Sequence, residues 1–177
     1  MQLALGPPYS REDLERAQER WDLHFPPDLV DLYLEGRPLL GRGAIDWVAT
    51  PAAEVEEALS WPLESFWFDV QEAALWWPEW GPRPATEADR RAVLEAAFRE
   101  APKLVPIYGH RYIPSRPAEA GNPVFSVYQS DVICYGATLA DYLQRESNGF
   151  DSLPWPSPIK RVPFWSLAVE RGAFQQT

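Results

Sequence analysis

Between Leu104 and Gly136 four short runs follow one another: LVPIYG, HRYIP, PVFSVYQ and DVICYG. Each is rich in β-branched and aromatic residues, and Pro, Gly and Ser separate them. Such runs read as neighbouring antiparallel strands, with QSD at 129–131 as a hairpin turn. This block constrains the fold most, because the segments on either side of it carry a helical period instead.

Upstream, Ser10 and Asp13 have the spacing of a capping box, with Asp in place of the usual Glu or Gln. Leu14, Ala17 and Trp21 then share one face at helical spacing. Pro26 and Pro27 open a second helix, where a missing N–H costs nothing, and Leu29, Leu32 and Tyr33 form its apolar stripe before Gly36. AIDWV at 44–48 alternates, which predicts a short strand. Thr50 and Pro51 mark a third helix through EVEEAL, predicted to end before Pro62 because proline disfavours helical backbone at the residue preceding it. Thr86 and Asp89 start a fourth helix that reaches about Ala101, with Leu94, Phe98 and Ala101 along one face.

After the strands, Thr138 caps a helix whose Leu139, Tyr142 and Leu143 face inward. The proline-rich tail, 149–177, is predicted to drape over the surface. Segment 61–84, WPLESFWFDVQEAALWWPEWGPRP, fits no simple period and reads as a Trp-rich insertion packed through its rings. Helices, then a meander of strands, then a closing helix argue for an α+β fold rather than a parallel βαβ array. A length of 177 residues suits a single domain spanning 1–177, with an antiparallel sheet flanked by helices.

Composition narrows the function classes. The single cysteine, Cys134, excludes an internal disulfide framework. MQLALGPPYS lacks a basic region and is too short in its apolar stretch for a signal peptide, and no apolar run approaches a membrane span; both predict a soluble, cytoplasmic protein. The formal net charge is −10, and it is unevenly spread: residues 1–100 carry −11 and residues 101–177 carry +1. Phosphate contacts need clustered cations, so direct nucleic-acid binding is disfavoured and a basic protein partner fits better.

FPPDLVDLYLEG at 25–36 and PVFSVYQSDVICYGATLADYL at 123–143 carry a resemblance. Their arrangement is similar to the SMI1/KNR4 (SUKH) family: a proline and an acid before a short helix ending near glycine, then strand, strand and capped helix in the pattern PVY.V...D....YAS.SLAEFL. The resemblance spans 10–146, is strongest over 104–146 and does not reach the Trp-rich segment. It implies an α+β fold and a protein-binding role. Bacterial members of the family are immunity proteins that neutralise secreted toxins, often nucleases, and fungal members are linked to cell-wall regulation. No catalytic set comes with the resemblance.

The residues themselves allow a Cys/His nucleophile pair, since His110, Asp131 and Cys134 lie close in sequence. Each also has a structural role to fill: Cys134 as a small core residue, Asp131 as a turn former, His110 at a sheet edge and Arg111 against a carboxylate. His24 and His110 lack ligand spacing, so no metal or other cofactor is expected. Glu56 and Glu57, adjacent on a helix, point about 100° apart and do not suit shared acid–base work. The acidic stretch 43–82 holds six of the nine tryptophans. It offers the expected partner-binding set: Asp46, Glu54, Glu56 and Glu57 to steer a basic toxin domain, and Trp76, Trp77 and Trp80 as anchors. The alternatives are a regulatory scaffold and a hydrolase using His110 and Cys134.

Overall fold

The computed structural model describes residues 4–175, so Met1–Leu3 of the N-terminal stretch and the last two residues of the tail lie outside it. Among the described residues the chain forms one α+β domain of six helices around a four-stranded antiparallel sheet. A two-residue strand, β1 (Leu5–Gly6), precedes α1 (Arg11–Trp21) and α2 (Pro27–Glu35), and pairs with β2 (Arg37–Pro38). Helix α3 (Ala52–Glu72) and α4 (Glu87–Glu100) follow, with a short 3₁₀ turn at Pro78–Trp80 between them. The sheet is β3 (Leu104–Tyr108), β4 (Arg111–Pro114), β5 (Val124–Tyr128) and β6 (Asp131–Gly136), in sequential order. Helices α5 (Leu139–Asn148) and α6 (Trp165–Gln175) complete the domain.

The local signals act as read. The Ser10 side chain accepts from the Asp13 N–H while the Asp13 carboxylate accepts from the Ser10 N–H, closing the capping box of α1. Thr86 and Thr138 cap α4 and α5 through the N–H groups of Asp89 and Asp141. Pro27 occupies the first turn of α2. Gln129 and Ser130 form the two-residue turn between β5 and β6, with Gln129 at φ +56°.

Both faces of the sheet are covered, which is why its strands read as nearly continuous apolar runs instead of alternating ones. Val105, Ile107, Ile113 and Val124 face α1, α2 and α5, in a core with Leu14, Leu29, Tyr33 and Tyr142. Leu104, Tyr112, Phe125, Val127 and Val132 face the other way, onto Phe66, Leu94 and Trp165. Gly136 ends β6 where α5 crosses it: a Cβ there would lie 2.5 Å from Tyr142, so no larger residue fits without moving the helix.

Three segments differ from their sequence reading. AIDWV is not a strand: only Ala44 bridges to Tyr108, and Asp46 instead folds 46–50 into a turn by accepting from the N–H groups of Val48 and Ala49. Helix α3 does not stop before Pro62 but runs through it to Glu72. Proline cannot donate to the carbonyl four residues back, and that carbonyl, Ala58 O, is instead filled by the Tyr112 hydroxyl at 2.9 Å. Residues 61–72 are therefore the second half of a helix that seats Phe66 and Val70 in the core. The tail does not only drape. After a loop, α6 buries Trp165 and Ala168 and brings Gly172 against the backbone of Val132, covering the outer edge of β6. An uncovered edge would present unpaired backbone groups to other chains.

Candidate functional site: a cleft between α3 and two hairpin turns

The first half of α3 lies beside the β3–β4 and β5–β6 turns, and a cleft of about 420 Å³ opens between them. Glu54, Glu57, Ala58 and Trp61 fall at i, i+3, i+4 and i+7, so one helical stripe forms its wall. His110 and Tyr128 close the opposite side from the two turns, with Tyr112 also lining the cleft. Helix α3 is held against this side twice. The Trp61 indole donates to Val127 O at 3.0 Å, and the Tyr112 hydroxyl donates to Ala58 O. Further along, the buried Asp69 carboxylate accepts from the Ser130 N–H at 2.8 Å and its hydroxyl at 2.5 Å, pinning the β5–β6 turn to the helix.

The rings of the cleft are ordered by these bonds. Trp61 and Tyr128 have centroids 6.1 Å apart at 49°, and His110 meets Tyr128 edge-on at 5.9 Å. Tyr128 is 56% exposed, which is unusual for so large a ring. Burial, and then the neighbouring Arg111 charge, hold the His110 imidazole below its ordinary value. Glu54 and Glu57 make no ion pair among the described residues.

The structure divides the predicted partner-binding set. Glu54 and Glu57 line the cleft; Glu56 is exposed on an adjacent face of α3. Asp46 is not a free steering charge. It pairs with Arg37, accepts from the Tyr9 hydroxyl at 3.2 Å and holds its own turn, and these bonds outweigh burial to keep its carboxyl below the usual range. Trp77 is buried at 3% exposure against Phe66 and Phe164, so it is a core residue and not an exposed anchor. Trp76 and Trp80 are half-buried and pack edge-on at 5.4 Å. They follow α3 in sequence but fold back along it, since Trp80 stacks on Trp77 at 4.8 Å and Trp77 packs on Phe66, about 13 Å along the helix from Glu57. Neither ring lines the cleft that Glu54 and Glu57 line, where Trp61 is the tryptophan present.

The acidic field is also thinner than the sequence suggests. Glu64 is forked by Arg91 and Glu79 is paired with Arg171, both from outside the acidic stretch. The Arg91 hydrogen bonds hold the Glu64 carboxyl below its ordinary value. What remains unpaired among the described residues is centred on Glu54, Glu56 and Glu57. Sequence reasoning missed Trp61 and Tyr128 as part of this site. The E-x-x-E-A-x-x-W spacing of α3 could have flagged Trp61, whereas Tyr128 gave no signal beyond its place beside a hairpin turn.

His110 and Cys134 do not come together. Phe125 lies opposite Cys134 across the β5–β6 pair, while His110 sits in the β3–β4 turn, two strands away and roughly 10 Å or more distant. The Cys134 thiol donates to Gly136 O at 3.4 Å, and burial pushes its pKa up to about 11, against the needs of a nucleophile. Arg111 lies over Tyr135 at 3.9 Å and faces Glu146, as the sequence suggested for that side chain. The His110 ring packs on Tyr128, and it is the His110 backbone carbonyl that accepts from Val127. No helix among the described residues is long and apolar enough to cross a membrane. Comparison of the chain with protein-family models, curated proteins and solved structures finds no match, so the geometry of the cleft itself carries the functional reading.

Proposed function

We propose that the protein is a binding protein that neutralises a basic toxin effector, such as a nuclease, by covering its catalytic groove in the cytoplasm. The observation that carries this reading is the conjunction at the start of α3: unpaired Glu54, Glu56 and Glu57 beside the exposed ring of Tyr128 and the fixed ring of Trp61. Carboxylates on a rigid helix steer a basic surface from a distance and stand in for the phosphates that its groove would bind. Aromatic rings beside them provide buried anchors once water is excluded. The SMI1/KNR4 resemblance of 25–36 and 123–143 implies the same role.

The test begins with cross-linked co-purification from the native cell, followed by surface-plasmon kinetics of the purified pair at several salt concentrations. Association should slow steeply with salt, because screening shortens electrostatic reach to about 8 Å at 0.15 M. The triple Glu54→Gln, Glu56→Gln, Glu57→Gln variant should associate more slowly with a flatter salt dependence. Its fold should be unchanged, since exposed charges contribute about 0–1 kcal/mol. Wild-type association and salt dependence in that variant would remove this surface from the interface.

A further inference from the structure

The chain repeats one small arrangement. Arg37 lies over Tyr9 at 5.2 Å and pairs with Asp46. Arg91 lies over Trp67 at 5.4 Å, forks Glu64 and also reaches Glu95. Arg111 lies over Tyr135 at 3.9 Å and faces Glu146, and Arg145 lies over Trp155 at 3.8 Å and pairs with Asp141. In each case a guanidinium sits between a ring and a carboxylate. The chemistry explains the recurrence: guanidinium is planar and weakly hydrated, so it stacks on a π-face while its edge donates to oxygen.

The cleft has the ring and the carboxylates of this arrangement but not the cation. Glu54 and Glu57 sit one turn apart on the stripe that carries Trp61, and Tyr128 stands across from them. No Lys or Arg lines the cleft among the described residues. The closest parallel is on the same helix, where Glu64 and Trp67 at i and i+3 are completed by Arg91.

We infer that the cleft seats a single arginine side chain of the protein partner, its guanidinium over Trp61 and Tyr128 and its N–H groups donating to Glu54 and Glu57. This rests on the binding reading above and assigns the chemistry of its anchor. Arginine fits better than lysine because its planar, weakly hydrated guanidinium lies flat on a ring while its edge donates in a fixed fork, whereas a compact ammonium is strongly hydrated and has no such plane. The Arg111 guanidinium next to His110 is itself engaged, over the Tyr135 ring and facing Glu146.

The experiment uses the full chain, ¹⁵N-labelled, titrated to millimolar concentration with a blocked Gly-Gly-Arg-Gly-Gly peptide. The same peptide with lysine, or with citrulline, the neutral isostere of arginine, serves for comparison. The Trp61 indole N–H signal, assigned by its loss in Trp61→Phe, and the His110 and Tyr128 amide signals should shift with the arginine peptide. The lysine peptide should bind at least about threefold more weakly and citrulline at least about tenfold more weakly. Glu54→Gln with Glu57→Gln, and separately the exposed-ring variant Tyr128→Ala, should each weaken the arginine peptide by about tenfold with the spectrum otherwise preserved. Equal binding of citrulline, equal binding of lysine, or an unshifted cleft would overturn the arginine assignment. If that assignment fails while the triple Gln variant still slows association of the whole partner, the binding reading stands and only the anchor chemistry falls.

Discussion

Replacing Tyr112 by Phe removes the hydroxyl that donates to Ala58 O at 2.9 Å, the carbonyl that Pro62 leaves without a helical partner. In the wild-type background nothing else in α3 can take its place, because residue 62 has no N–H. Ala58 is half-buried beside the cleft, so losing this bond should destabilise by about 1 kcal/mol. In a Pro62→Ala background the new N–H of residue 62 can close the ordinary i→i−4 bond to Ala58. The cost of Tyr112→Phe, about 1 kcal/mol, should then largely vanish. Pro62 is itself buried, so Pro62→Ala also loses packing of its ring, but the cycle subtracts that loss. The assay is urea unfolding of the four variants followed by far-ultraviolet circular dichroism. Slow hydrogen exchange at the introduced backbone N–H of position 62 gives a second readout in the Pro62→Ala proteins. Additivity within about 0.3–0.5 kcal/mol would refute the account of how α3 passes through its proline. The result also bears on the cleft, since the same bond seats the Glu54–Trp61 stripe against the sheet.

Arg145 is fully buried and donates to Asp141 and to the carbonyls of Phe150, Leu153 and Pro154. Arg145→Ala should cost about 3–5 kcal/mol and open 149–155 to limited proteolysis, and a protected loop in that variant would show that the residue is not its organiser. Phe125→Ala should cost about 3–5 kcal/mol, whereas the half-buried Leu143→Ala should cost clearly less; equal losses by denaturant titration would mean that the core is misassigned. Cys134→Ala should retain partner binding at a cost of about 1 kcal/mol, and native Cys134 should resist iodoacetamide at pH 8 because its thiol titrates near 11. Rapid alkylation, or loss of function in a folded Cys134→Ala protein, would revive the nucleophile. For pH, Asp46, Glu64 and Asp141 are all held below their ordinary values, so their stabilisation is present above about pH 5 and is lost as pH falls through and below the carboxylate range. The depressed His110 acts in the same direction, since below its ordinary value of 6.5 the unfolded chain takes up the proton more readily and the fold is opposed as pH falls. Urea midpoints should therefore decline from pH 7 to pH 3, and a flat profile would contradict these environments.

What the sequence determined by itself are features whose causes lie within a few residues. Ser10, Thr86 and Thr138 cap helices through N–H groups three positions on, Pro27 takes a first-turn place, and Gln129–Ser130 closes a two-residue hairpin. Apolar period and turn chemistry then suffice for the α+β class and the order of the four strands. The misreadings have causes far along the chain. Pro62 looks like a helix end because its replacement donor, Tyr112, lies on a strand 50 residues on and not in the local window. Helix α6 is hidden behind prolines, and its reason for existing is the uncovered edge of β6 that it packs against. The site divides in the same way. Glu54, Glu56 and Glu57 are legible as an acidic helix face, but Asp46 and Trp77 are lost to Arg37 and to the core, and Tyr128 enters from a hairpin 70 residues from Ala58. Backbone preferences, caps and turns act over short stretches of chain, so the sequence states them directly. Which charges stay unpaired and which rings stay exposed depends on partners brought together by packing, and the tertiary structure alone decides that.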